Sequence, residues 1–195
     1  MKFTLSILAL LAIAFLVGCS AKDTSNNNKL SNSEITKLGK KYGGVYVFNK
    51  KFEKEIDDRE RERKNYMDNF FKTKKVFKKD DLRVLDNTLP QTLSNGKQYY
   101  LRSNYRGKVV IPEEVSLKIK NYIGEKAYKH CSIVIEEFYI DDNEQLQVIS
   151  LSLMFYVGYT KFGLFGDEGR GFSLSRDRFE YYEVKNKFYM EDLEK

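Results

Sequence analysis

Few residues of this chain have types and spacings suited to chemistry. His130 is the single histidine and stands beside Cys131, one of two cysteines. A thiol and an imidazole can serve as nucleophile and base, but neighbours on a strand point to opposite faces, so this pair diverges. One histidine also rules out any site built on two imidazoles. Acids are plentiful, with 28 Asp+Glu. Glu136-Glu137 and Asp141-Asp142 are adjacent pairs of the kind hydrolysis uses, where two carboxylates stand about 5 to 10 Å apart. Asp141-Asp142-Asn143-Glu144 departs from a calcium loop, lacking its central glycine and terminal glutamate. The glycine-rich stretch from Gly163 to Gly171 has neither the Gly-Lys-Ser/Thr ending of a phosphate loop nor a dinucleotide fingerprint, and reads as a flexible connection. The residues predict no catalytic group, no cofactor and no metal site.

Charge is the stronger signal. Residues 37–79 carry 15 Lys+Arg against 7 Asp+Glu, whereas residues 80–195 carry 16 against 19. Lys40, Lys41, Lys50, Lys51, Lys72, Lys74, Lys75, Lys78 and Lys79 are the candidates for contact with an anionic surface, either lipid headgroups or an acidic envelope protein. The competing reading is a solvated helix that keeps the protein soluble.

The chain opens MKFTLSILALLAIAFLV, with one charge at Lys2 and fourteen apolar residues. This is a signal-peptide pattern. Its apolar run, Leu5 to Val17, is about 13 residues and roughly 20 Å as a helix, short of the ~30 Å hydrocarbon core. No later run reaches the ~18 apolar residues that a spanning helix needs. The run closes on Leu16-Val17-Gly18-Cys19-Ser20, which resembles the lipobox of bacterial lipoproteins. The resemblance covers about a tenth of the chain and implies three things. Leu16, Val17 and Gly18 are the positions the signal peptidase recognises, Cys19 carries diacylglycerol, and a dedicated peptidase cuts before it. By the same resemblance Ser20, in place of Asp, favours the outer membrane if the source is Gram-negative. Two or more acyl chains anchor stably, at ~0.8 kcal/mol per buried CH₂. Export also argues against a nucleic-acid partner, despite the lysine-rich segment.

These features need elements to position them. Residues 20–36 are rich in Ser, Asn and Thr and read as a linker between a signal peptide at 1–18 with lipidated Cys19 and a single domain at 37–195. A charged helix is predicted from Phe52 to Phe77, with a broken apolar stripe of Ile56, Tyr66, Met67, Phe70 and Phe71, solvated at its start and packed at its end. Pro112-Glu-Glu opens a second helix, with a competing strand reading through Val115, Leu117 and Ile119. Asn95-Gly96 marks a hairpin flanked by strands at Tyr99 to Tyr105 and Lys108 to Ile111. Ile133 to Ile140 and Leu146 to Tyr159 are strands about a turn at Asp141-Asp142-Asn143, with Ile149, Leu151, Leu153, Phe155 and Val157 on one core face. Gly171 to Leu174 and Phe179 to Val184 suggest a further strand, but Phe172 and Leu174 are out of phase with Phe179 and Tyr181, which predicts a bulge or break near Asp177. The fold class expected is α+β, mostly antiparallel sheet with one or two helices. The function expected is that of a membrane-anchored envelope lipoprotein, non-catalytic, binding or structural. An envelope hydrolase using clustered carboxylates and a surface-exposed protein binding host molecules are the alternatives.

Overall fold

The computed structural model describes residues 30–74, 76–167, 169, 171–182 and 184–193. The compact unit Asn32–Lys195 is α+β. Six helices are present among the described residues: α1 Asn32–Tyr42, α2 Lys50–Thr73, α3 Lys79–Thr88, α4 Glu113–Ile123, α5 Glu125–Tyr128 and α6 Met190–Leu193. The strands are β1 Gly44–Val47, β2 Tyr99–Leu101, β3 Cys131–Ile140, β4 Leu146–Asp167, β5 Gly171–Tyr181 and β6 Lys187–Tyr189. They form one sheet in the order β2-β3-β4-β1-β6, with β5 on β4. Every pairing is antiparallel except β1 with β6. None of the described helices is long and apolar enough to cross a membrane.

Helix α1 takes the last residues of the expected linker, because Ile35, Leu38 and Tyr42 recur at helical spacing and pack on the core. Glu34 in its first turn and Lys40 and Lys41 in its last complement the helix dipole. Gly39 lets α1 approach the sheet, since a Cβ there would lie 3.3 Å from that of Phe155. Gly44 is required where β1 meets β6: its φ is +134° and a Cβ would fall 2.3 Å from the Asn186 carbonyl oxygen.

Helix α2 begins at Asn49, whose Oδ1 accepts from the Phe52 N–H at 2.9 Å. Its packing reverses the expectation. Glu53 and Ile56 near the start are buried, while Phe71 near the end is exposed. The apolar residues of the last turns meet each other, Phe70, Phe71 and Phe77 forming a ring cluster, instead of the sheet. Arg63 explains how α3 stays attached. Its guanidinium donates to the Leu89 carbonyl at 2.5 Å and to Asp86 at 2.8 Å. Arg63→Ala leaves that carbonyl and carboxylate without their donor and is expected to lower stability by about 2 kcal/mol. A fall in the urea midpoint at unchanged slope checks this.

The helix at Pro112 forms as α4, and Val115, Ile119 and Ile123 are its buried stripe, so the strand reading of this segment falls. The Asn95-Gly96 turn also forms, with Thr92 bridging Gln98. Only Tyr99–Leu101 continues as strand, and Lys108 to Ile111 is not one.

The sheet has two faces. One carries Tyr46, Leu151, Leu153 and Phe155 under α1, α4 and α5, with Val115, Ile119 and Ile123. The other carries Ile149 and Tyr99 under α2, with Ile56 and Leu93. Ile149 therefore leaves the face expected to hold it with Leu151. The register shows why: Ile135 pairs Leu151, Glu137 pairs Ser150, and Phe138 pairs Val148, so Glu136 and Ile149 are bulge residues. A bulge shifts the alternation by one and sends Ile149 through to the opposite side.

Candidate functional site

The same bulge opens a cleft to which several charged side chains contribute. Alternation would send Glu136 and Glu137 to opposite faces; the irregular register lets both line one cleft of about 380 Å³. Helix α2 brings Glu53 and Asp57, one turn apart, to its edge, β4 brings Ser150 and β6 brings Lys187. Glu53 is 6% exposed and Ser150 is 2% exposed, so the floor is closed to solvent.

Charge is concentrated there. The Lys187 ammonium donates to Glu53 and stands 3.9 Å from Asp57, and the Glu53 bond raises its pKa. Ser150 Oγ donates to Glu137 Oε2 at 2.6 Å. Burial pushes the Glu137 carboxyl up to about 7, with Asp57 and Glu53 adding to the rise against the Ser150 hydrogen bond and Lys187. Burial, then Glu53, raises Asp57 as well. Glu137 can thus hold or release a proton near neutral pH, as a general acid or base must. Ser150 lies too deep to attack a substrate, and its hydroxyl orients Glu137. Among the described residues no three His, Cys, Asp or Glu side chains converge as metal ligands.

The pairs singled out in the sequence are not brought together. Glu136-Glu137 lines the cleft, but Asp141 is a turn residue. Its carboxylate accepts the N–H groups of Asn143 and Gln145 and the Gln147 amide, and the Gln145 bond leads in lowering its pKa. Asp142 pairs with Lys97. The partners that Glu137 acquires, Glu53 and Asp57, come from a helix whose acids looked like ordinary solvated charge. No local spacing marks them. Cys131 opens β3 half-buried, its thiol directed at the Tyr128 carbonyl at 3.4 Å and pushed up to about 11 by burial. His130 lies in the turn before it.

The candidate lysines form more than one group. Lys40 and Lys41 end α1, with Lys41 Nζ 4.7 Å from the Tyr42 ring; Lys50 and Lys51 open α2, with Lys50 4.7 Å from the Tyr189 ring and Lys51 near Glu55. Lys72 ends α2, Lys74 caps it and reaches Asp81 at 3.2 Å, and Lys78 and Lys79 begin α3. The 24 residues of α2 hold its two ends about 35 Å apart. Lys75 lies outside the described residues, as do Leu16, Val17, Gly18 and Cys19.

The sequence places strands at both ends of one further feature but does not show its continuity. The segment expected to be a glycine-rich connection is strand as far as Asp167, and β4 and β5 form a long hairpin. No break occurs at Asp177, which pairs Thr160; the bulge lies between Phe162 and Phe165. The out-of-phase residues are explained, since Phe172 and Leu174 occupy one face of the hairpin and Phe179 and Tyr181 the other. That phase mismatch was the available signal.

The fold and cleft define an α+β domain whose six-stranded sheet is packed under helices except along the β4–β5 hairpin and carries the half-buried Glu137 in a cleft. Comparison takes the chain no further: no family model, no curated protein and no solved structure matches it.

Proposed function

We propose that this protein is a lipoprotein of the bacterial cell envelope, anchored through Cys19, whose folded body is a non-catalytic binding component. The observation that carries the anchor is Leu16-Val17-Gly18-Cys19 at the end of a short apolar run. The binding role is supported by the β4–β5 hairpin, which holds large apolar side chains in solvent. The lipid on Cys19 attaches the body to its membrane, the outer one if the cell is Gram-negative. An envelope protein or anionic lipid is the partner class, and the basic corner of Lys72, Lys74, Lys78 and Lys79 is the surface for the latter. Metabolic labelling with an alkyne fatty acid tests the anchor. The protein takes up label and Cys19→Ala loses it; label retained by Cys19→Ala overturns the reading.

The cleft favours one second reading, an envelope hydrolase. Glu137, protonatable near neutrality beside Asp57, is where a general acid would stand. Turnover of peptidoglycan or another glycan that disappears in both Glu137→Gln and Asp57→Asn, with stability retained, would establish it over the non-catalytic role.

A further inference from the structure

Beyond Phe155, β4 pairs with β5 alone, from Tyr156 opposite Tyr181 to Asp167 opposite Gly171, and β5 pairs with no other described strand. The result is a two-stranded arm with two open edges. Along each edge, backbone N–H and C=O groups have no strand partner, the Gly158 carbonyl being given a side-chain donor, the Asn32 amide at 2.5 Å, and such an edge is a template for another strand. Both faces are also uncovered. Phe162 is 80% exposed, Leu164 72%, Phe172 82%, Leu174 77% and Phe179 73%, in a protein whose Phe155 is 0% exposed one register step from the arm. Hydrogen bonds within the arm hold it straight: Tyr159 to Glu180 at 2.8 Å and Thr160 to Asp177 at 2.8 Å.

We infer that this arm is a self-association surface, and that two copies of the chain join arm to arm in an isologous dimer. Three observations select a second copy as the occupant. Lipid would cover the apolar side chains but leave the edges unsatisfied, which excludes an open hairpin from hydrocarbon. The described charges of the arm alternate in sign, Lys161, Arg176 and Arg178 with Asp177 and Glu180, so the arm is complementary to itself and not to a surface of one sign. The area is also of the right order. The three phenylalanines and two leucines, with the half-exposed Tyr156, Tyr159 and Tyr181, expose roughly 1,000 Å² per chain over the two faces of the arm, where a stable interface buries about 800 Å² per partner. This inference deepens the binding reading of the same hairpin and is independent of the lipid anchor.

The test uses the chain from residue 20 onward, tether and body without leader or acyl group, in sedimentation velocity at about 50 μM. The wild type sediments with twice the monomer mass. The triple variant Phe162→Ser, Phe172→Ser, Leu174→Ser sediments as monomer, with its circular dichroism unchanged because all three side chains stand in solvent in the monomer. A monomeric wild type at that concentration, or a triple variant that still dimerises, overturns the inference. So does binding of phosphatidylglycerol vesicles by monomeric wild type that the triple variant loses, which would assign the arm to lipid.

Discussion

Phe155→Ala lowers the stability of the folded domain by about 3 to 5 kcal/mol, the range for removing a buried phenyl ring without refilling its space. Phe155 is wholly buried among Tyr46, Ile119, Leu151 and Leu153. The place cannot collapse to fill the void, for two reasons. Helix α1 already approaches closely at Gly39, where a Cβ would lie 3.3 Å from that of Phe155. The backbone is also held on both sides, pairing Cys131 of β3 while the Phe155 carbonyl accepts the Tyr182 N–H at 2.9 Å. Against a total of about 5 to 15 kcal/mol, such a loss removes a third or more of the stability. Phe172→Ala, the same chemical change on the exposed arm, shifts the monomer's stability by less than about 0.5 kcal/mol. Urea unfolding of the two variants, with the arm monomeric, measures the contrast. Equal losses would mean that the arm packs on the body.

Glu137→Gln makes the protein more stable at pH 8 and leaves it little changed at pH 4. The sign follows from proton binding. The Glu137 carboxyl is pushed up from 4.5 to about 7 in the folded state, burial being the main cause. Between those values the folded protein holds a proton that the unfolded chain has released, so stability falls as pH rises and levels off above the folded pKa. At 1.36 kcal/mol per pH unit the whole fall is on the order of 3 kcal/mol. Glutamine keeps a carbonyl to accept from Ser150 Oγ and does not ionise, so the fall should be absent. Asp57, raised in the same direction, remains in the variant, and the difference between the two curves isolates Glu137. Chemical denaturation at half-unit steps of pH supplies both curves. Parallel curves would show that Glu137 ionises as freely folded as unfolded.

Legibility varied with how local the cause was. The helix at Pro112 was readable because an N-terminal proline, two first-turn acids and an apolar stripe lie within one segment. Strands at Ile133 to Ile140 and from Leu146 were readable from β-branched and aromatic residues about an Asp-Asn turn. Helix α2 was readable as a helix, but not its packed end, because Phe70 and Phe71 outweigh Phe52 and Ile56 in any local count of apolar residues. The sheet covers the first turns, and that is a matter of where β4 and β2 lie. The arm was misread for a related reason. Four glycines and an interrupted alternation signal a loop when one face is assumed to be core, whereas a strand exposed on both faces needs no consistent phase.

The candidate cleft divides along the same line. Glu137 was named as one of many adjacent acids, but nothing near it in the chain predicts a raised pKa. That property needs the bulge that turns Glu136 and Glu137 to one side, the burial that follows, and Asp57 and Glu53 brought from α2. The amino-acid sequence by itself determined the α+β class, the antiparallel core hairpin and the lipobox resemblance at Cys19. Each of these depends on residue type and spacing within about twenty residues. Only the tertiary structure decided which carboxylates meet, which face Ile149 serves and that Phe162, Phe172 and Leu174 stand in solvent. Register and burial are set between segments far apart in the chain, and no periodicity within a segment encodes them.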